Sequence, residues 1–375
     1  MLDRIHKAQA VMDTACKTLG RQVNIMEVCG THTVSIFRSG IRSIVPKELR
    51  LLSGPGCPVC VTDQSYIDIV LQLADRDDCI IATYGDMIRV PGRGGSLETK
   101  RSRADVKVVL SSEDALQSAK DNPGKTVVFV AVGFETTAPA TAVVVKEASE
   151  AGIDNFCVLS GHKLVVPAMR VLLSGKNHNI NGFLCPGHVS VIIGYGAFAE
   201  IVEDFARPCV VAGFEPVQIV EALAEICQQL AAGKAKLKSV YAAVVTEQGN
   251  AAAQKVIAEC FEPADGYWRG IGKIEKSTLK LKDKYSHFDA FKRFNLTEEP
   301  GEEAGECRCG EVLCGLIDPP DCSLFGKSCT PQAPVGPCMV SSEGACAAHY
   351  KYGGIGRAGN QGSRRTGKQE ARVEK

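Results

Sequence analysis

Seven short apolar runs lie between residues 79 and 247: CIIATYGD, VKVVLSS, TVVFVAVGFE, FCVLSGH, GFLCPGH, CVVAGFE and YAAVVTE. Turns with glycine or proline follow them, and then longer stretches of helical spacing. Near-continuous runs of Val, Ile, Cys and Ala are what strands buried on both faces look like, and their alternation with helices is the pattern of parallel α/β sheets. The runs are numerous enough for two small sheets. In open parallel sheets ligands gather beyond the carboxyl ends of the strands, so the turns GPGCPVC, YGDMIRVPG, GFETTAP, SGHKLVVP, CPGHVS and AGFEP are expected to meet in a shared cleft. The likeness of VAVGFETTAP to VVAGFEPVQ hints at two related halves.

The chain has 375 residues, 45% of them hydrophobic, enough for two or three cores. Basic and acidic residues balance at 43 each, which gives no positive surplus for nucleic acid. The first twenty residues alternate charged and apolar positions at helical spacing and lack a secretory core, so a cytoplasmic protein is expected. The uncharged stretch 177–199 is broken by Asn, His, Gly and Pro, and no membrane span is expected. The expected division is an N-terminal helical segment with the first cysteine motif (1–45), α/β units at 46–125 and 126–240, a C-terminal metallo-domain (241–352) beyond the acidic turn NLTEEPGEEAGE, and a mobile tail (353–375).

Seventeen cysteines in a reducing compartment argue against a disulfide framework. Seven of them, Cys307, Cys309, Cys314, Cys322, Cys329, Cys338 and Cys346, crowd into forty positions. The paired C-x2–4-C clips of zinc ribbons are mostly missing there, so an iron–sulfur cluster, zinc and a set of structural cysteines all stay open on chemistry alone. Cys57 and Cys60 form a CxxC in a tight Gly-Pro turn, suited to a reactive dithiol or a two-ligand metal clip. Cys29, with His32 three positions on in CGTHT, is a nucleophile or soft ligand, or a plain core residue. Glu135 and His188 stand at strand ends where each can hold a ligand, move a proton or cap a helix; for Thr136, Thr137 and Ser190 capping is the expectation. Asp86 and Arg89 either pair as a clamp or hold an anion. Cys16, Cys79, Cys157, Cys185, Cys209, Cys227 and Cys260 lie in apolar surroundings and are expected in the core.

Taken together, CGTHT, GPGCPVC, TYGDMIRVPG, GFETTAP, CPGHVSVIIG, VAGFEP and the C-terminal cysteine array resemble the HypD family of NiFe-hydrogenase maturation proteins, from about Arg21 to Tyr352. The resemblance implies two Rossmann-like α/β domains facing a cleft plus a C-terminal iron–sulfur domain. It implies a scaffold with redox function on which the Fe(CN)2CO unit is assembled with a small HypC partner and a HypE cyanide donor. By that resemblance Cys307, Cys322, Cys329 and Cys346 match the ligands of a 4Fe-4S cluster, and Cys309 and Cys338 a redox-active pair similar to that of ferredoxin:thioredoxin reductase. Cys29, Cys57 and Cys60 match the iron site, with the CxxC also a redox pair, and Cys314 matches no role. His32, Glu135 and His188 are carried as further candidate catalytic residues. The rival readings are an iron–sulfur-dependent thiol–disulfide reductase and a zinc-stabilised binding module.

Overall fold

A computed structural model of the chain describes residues 2–175, 179–299 and 306–353. Its strands are β1 (Val23–Glu27), β2 (Leu49–Ser53), β3 (Cys79–Thr83), β4 (Val106–Val108), β5 (Thr126–Gly133), β6 (Phe156–His162), β7 (Gly182–Pro186), β8 (Cys209–Ala212), β9 (Leu237–Ser239), β10 (Phe261–Trp268) and β11 (Gly272–Leu281). Every residue of β1, β3, β7 and β8 is buried, and in β3, β7 and β8 this leaves almost no alternation of apolar and polar positions.

The parallel strands form two sheets, in the orders β2-β1-β7-β8-β9 and β4-β3-β5-β6. Numbered within its own sheet, each runs second, first, third, fourth, so the two halves share a topology. The GFE repeat falls at the ends of β5 and β8, one in each sheet.

The second sheet is inserted in the first: the chain lays down β1 and β2, builds β3 to β6 elsewhere, and returns for β7 to β9. This corrects the boundaries at 46–125 and 126–240, which assign β2 to the wrong partners and split β3 and β4 from β5 and β6. A parallel crossover can be long, so order along the chain does not tell which sheet a strand joins. The segment 1–45 likewise holds β1 and the helix Gly30–Arg38, both part of the first half. Its opening helix, Leu2–Leu19, buries Ala8, Met12, Ala15 and Cys16 against Ile219, Leu223 and Cys227 of the helix Pro216–Ala231. YAAVVTE is a turn, not a strand, with Val244 exposed, and β9 lies just before it.

Residues 261–281 form an antiparallel hairpin absent from the sequence reading. Phe261, Leu279 and Leu281 join the core of the second half, and Leu164 N–H donates to the Ser277 carbonyl. The expected C-terminal domain therefore begins too early. The cysteine-rich unit occupies the described residues 306–353 and is built of short helices, Cys309–Leu313, Pro337–Val340 and Ala345–Tyr352. Of the expected tail, residues 354–375 lie outside the described residues, as do 300–305 of the acidic turn. The seven cysteines assigned to the core are all buried. No helix among the described residues is long and apolar enough to cross a membrane.

Candidate functional site

Because both sheets place their second strand before their first, each has a switch point between its first and third strands, where chains leave in opposite directions and open a crevice. In the first sheet that point lies between β1 and β7, in the second between β3 and β5. A cavity of about 330 Å³ joins them: Cys29 and Thr31 follow β1, Pro186 and His188 end and follow β7, Tyr84 follows β3, and Phe134, Thr136 and Thr137 follow β5. The shared cleft is thus present at the expected edge.

Cys57 precedes the short helix Pro58–Val61, with proline at the first helical position where no N–H is needed. Cys57 and Cys60 are joined as a disulfide, their Cα atoms 5.2 Å apart. The loop before them lies directly on Cys29: Gly30 N–H donates to the Gly56 carbonyl at 2.9 Å, and a Cβ on Gly56 would stand 2.1 Å from the Cys29 nitrogen. Only glycine admits that approach. Cys29 itself is buried, and burial pushes its thiol up to about 12, against backbone amides of His32 and Thr31 that favour the thiolate. It is a neutral thiol until something replaces its proton.

His32 faces away from the cavity. Its Nε2 meets the Gly213 carbonyl at 3.0 Å, its ring packs on Phe214, and burial lowers its pKa to about 4, so it is a neutral structural link between the GFE turn after β8 and the Cys29 helix. His188 also packs on Phe214, with ring centroids 4.1 Å apart and the rings tilted, and is exposed in the cleft. Glu135 is buried below the cleft, where Oε1 accepts from Val165 N–H at 2.9 Å at the start of the helix Val165–Ser174; burial raises its pKa to about 7. Thr137 occupies the residue before the helix Ala138–Glu150, yet its hydroxyl donates to the Phe134 carbonyl, and Ser190 donates to the Pro186 carbonyl within its own helix, so neither caps by its side chain. Asp86 and Arg89 bond not to each other but to the cysteine-rich unit, Asp86 accepting from Ser341 at 2.9 Å and Arg89 donating to the Pro331 carbonyl.

Two carboxylates escaped the sequence reading. Glu27, at the end of β1, accepts from Thr33 at 2.6 Å and is raised to about 8 by burial; among the described residues nothing is hydrogen-bonded to its Oε2. Glu343 reaches back from the cysteine-rich unit to accept from Thr31 at 2.7 Å, and lines the cleft beside Cys29. Nothing local marks either one, since each is defined by a contact across the fold.

The second sulfur site is a cage. Cys307, Cys309, Cys322, Cys329, Cys338 and Cys346 surround a narrow cavity of about 10 Å³ with Val312, Leu324, Phe325 and Met339 as apolar walls. Hydrogen bonds from Cys307 and Cys338 hold Cys309 well below the usual thiol range. Cys329 Sγ accepts from Val335 N–H at 3.4 Å. Cys314 lies outside the cage and donates to the Gly270 carbonyl at 3.5 Å. The two sulfur sites abut: Cys60 Sγ is 4.0 Å from the carbonyl of Pro337, the neighbour of Cys338. Among the described residues no group of three or more His, Cys, Asp or Glu side chains converges tightly enough for a single metal ion.

The family model HypD, described as a hydrogenase formation hypA family, matches residues 4–353. The chain belongs to that family. It is 43% identical over 337 residues to the hydrogenase maturation factor HypD of Escherichia coli, covering 89% of this chain and 90% of that one. It is 41% identical over 343 residues to the hydrogenase maturation factor HypD of Cupriavidus necator, covering 89% and 90%. HypD membership assigns this chain to hydrogenase maturation and leaves the work of each sulfur site to be argued from geometry.

Proposed function

We propose that the chain is the redox scaffold on which the Fe(CN)2CO unit of the hydrogenase is assembled, binding iron together with a HypC-type small partner and accepting cyanide from a HypE-type donor. One observation carries the reading: Cys29 and the loop that leads into the CxxC touch at one cleft between the two sheets, and the same CxxC abuts the six-cysteine cage. Thiolates suit low-spin iron bearing strong-field ligands, and a cleft between two domains keeps water from it.

The residues divide the work. Cys29, a neutral thiol at rest, gives up its proton when iron binds. Cys57 and Cys60 cannot ligate while bonded to each other, so the disulfide must open first. The reductant proposed is the Cys309/Cys338 dithiol, which forms its own disulfide as two electrons and two protons pass to Cys57 and Cys60. A 4Fe-4S cluster held by Cys307, Cys322, Cys329 and Cys346 would supply electrons one at a time. The donors fit it in kind, being thiols alone in an apolar wall with an amide bonded to Cys329 sulfur; the cage must part to admit it. His188 and Glu343 are the polar side chains placed to meet an incoming ligand or partner in the cleft.

Cys309→Ser tests this. It is expected to leave Cys57–Cys60 oxidised and hydrogenase immature; a variant that reduced the pair and matured hydrogenase normally would sink the proposal. The rival, a thiol–disulfide reductase, instead predicts catalytic reduction of small disulfides in the absence of any partner.

A further inference from the structure

The hairpin joining β10 to β11 ends in a tip, Arg269–Gly270, that lies between the two sulfur-bearing helices. Arg269 is buried, 4% exposed, and all its bonds run toward the CxxC helix: its backbone N–H donates to the Val61 carbonyl at 2.9 Å, its Nε to the Thr62 carbonyl at 3.0 Å, and its guanidinium reaches Gln64 Oε1 at 3.5 Å. Among the described residues no carboxylate forms an ion pair with it. A buried guanidinium costs desolvation energy, and here its Nε holds the Thr62 carbonyl while its other arm reaches Gln64, a two-point fork that lysine cannot reproduce.

The next residue holds the other helix. Gly270, at φ +75°, lies so close to Gly310, the neighbour of Cys309, that a Cβ on it would stand 2.2 Å from the Gly310 Cα. Cys314, the one cysteine of the array outside the cage, donates to the Gly270 carbonyl. Two consecutive residues therefore fix the carboxyl end of the Cys57–Cys60 helix and the amino end of the Cys309 helix against each other. Residues 62 and 269 are 207 positions apart, so the hairpin ties these helices together by a tertiary contact and not by chain continuity.

We propose that Arg269 is a positioning residue for thiol exchange, clamping the CxxC helix in register with the helix of Cys309. The inference rests on the relay reading above. In the exchange one thiolate of the Cys309/Cys338 pair attacks the Cys57–Cys60 bond, a mixed disulfide forms, and the second thiol of the pair releases it. Two thiols become one disulfide and the other disulfide becomes two thiols, so electrons and protons balance. Such an attack requires the three sulfurs nearly in line, and a misplacement of about 1 Å can cost on the order of a hundredfold in rate.

The test uses the full chain, purified anaerobically, with the Cys309/Cys338 pair and Cys57–Cys60 both oxidised. Dithionite starts the reaction, and timed alkylation with mass spectrometry reads the appearance of Cys57 and Cys60 thiols in wild type, Cys309→Ser, Arg269→Ala and Arg269→Lys. Arg269→Ala is expected to slow the appearance roughly 10- to 100-fold, with Arg269→Lys between it and wild type. The equilibrium of Cys57–Cys60 with a glutathione buffer should stay unchanged, a split between rate and equilibrium that lost packing alone does not produce. If Arg269→Ala does not fold, the Arg269→Lys rate decides. Wild-type rates in the arginine variants with transfer blocked in Cys309→Ser overturn the clamp and leave the relay standing. A wild-type rate in Cys309→Ser overturns the relay, and the clamp with it.

Discussion

The two sulfur sites are built in opposite ways. The cleft site hangs on the ends of buried parallel strands, where Cys29 and the CxxC loop inherit their positions from β1 and β2. The cage has no sheet under it; helices of four to eight residues and turns carry its six cysteines, and its walls are the cysteines themselves with a few apolar side chains. A strand end is rigid before any metal or partner arrives, whereas a cage of this kind depends on what binds its sulfurs for much of its order.

That contrast can be broken at several points. The largest effect is expected in the cage: replacing Cys329 or Cys346 by Ala should remove iron and acid-labile sulfide nearly completely and melt residues 306–353 while the two sheets stay folded, read by iron and sulfide analysis beside hydrogen exchange. Uniform loss of protection throughout the chain would refute the division into rigid and binding-dependent parts. In the cleft the corresponding break is steric. Gly56→Ala drives a methyl into the Cys29 backbone and should cost about 3 kcal/mol in urea unfolding, without loss of cage iron.

The cleft should also be the pH-sensitive region. Glu27 has its folded pKa raised to about 8 by burial, from an ordinary value of 4.5, so the folded state holds the proton more tightly than the unfolded chain. Its stabilising effect is complete below pH 4.5 and is lost as pH rises through 8. Glu27→Gln should therefore gain on wild type across that window by up to about 5 kcal/mol, measured by denaturation at a series of pH values. His32 works in the other direction: with its folded pKa lowered to about 4, it weakens the fold as pH falls below 6.5. The smallest effect is expected where the two regions touch. Glu343→Gln weakens the bond from Thr31 and should cost only about 1 kcal/mol in the same assay, while loosening the cover over Cys29.

The same contrast explains what the sequence could disclose. Six of the seven apolar runs are strands, and their turns do meet in a cleft, because burial on both faces leaves a compositional mark that needs no tertiary knowledge. β1 and β2 escaped because VNIME and LRLLS mix polar residues into short runs. Sheet membership escaped because crossover length does not encode it. His32 was legible as unusual, but its partner is the Gly213 carbonyl, which no motif announces. Glu27, Glu343 and Arg269 act through contacts that only the folded chain creates. The cage cysteines stood out by crowding, and the separate roles proposed for them rest on family resemblance, since spacing alone left cluster and zinc open.

The most direct measurement is an infrared spectrum of the anaerobically purified chain, co-expressed with its HypC-type and HypE-type partners, beside Cys29→Ala. Cyanide and carbonyl stretching bands in the wild type that vanish in the variant are the predicted result. Bands of equal strength in both, or in neither, would contradict the assignment of Cys29 and its cleft to iron assembly.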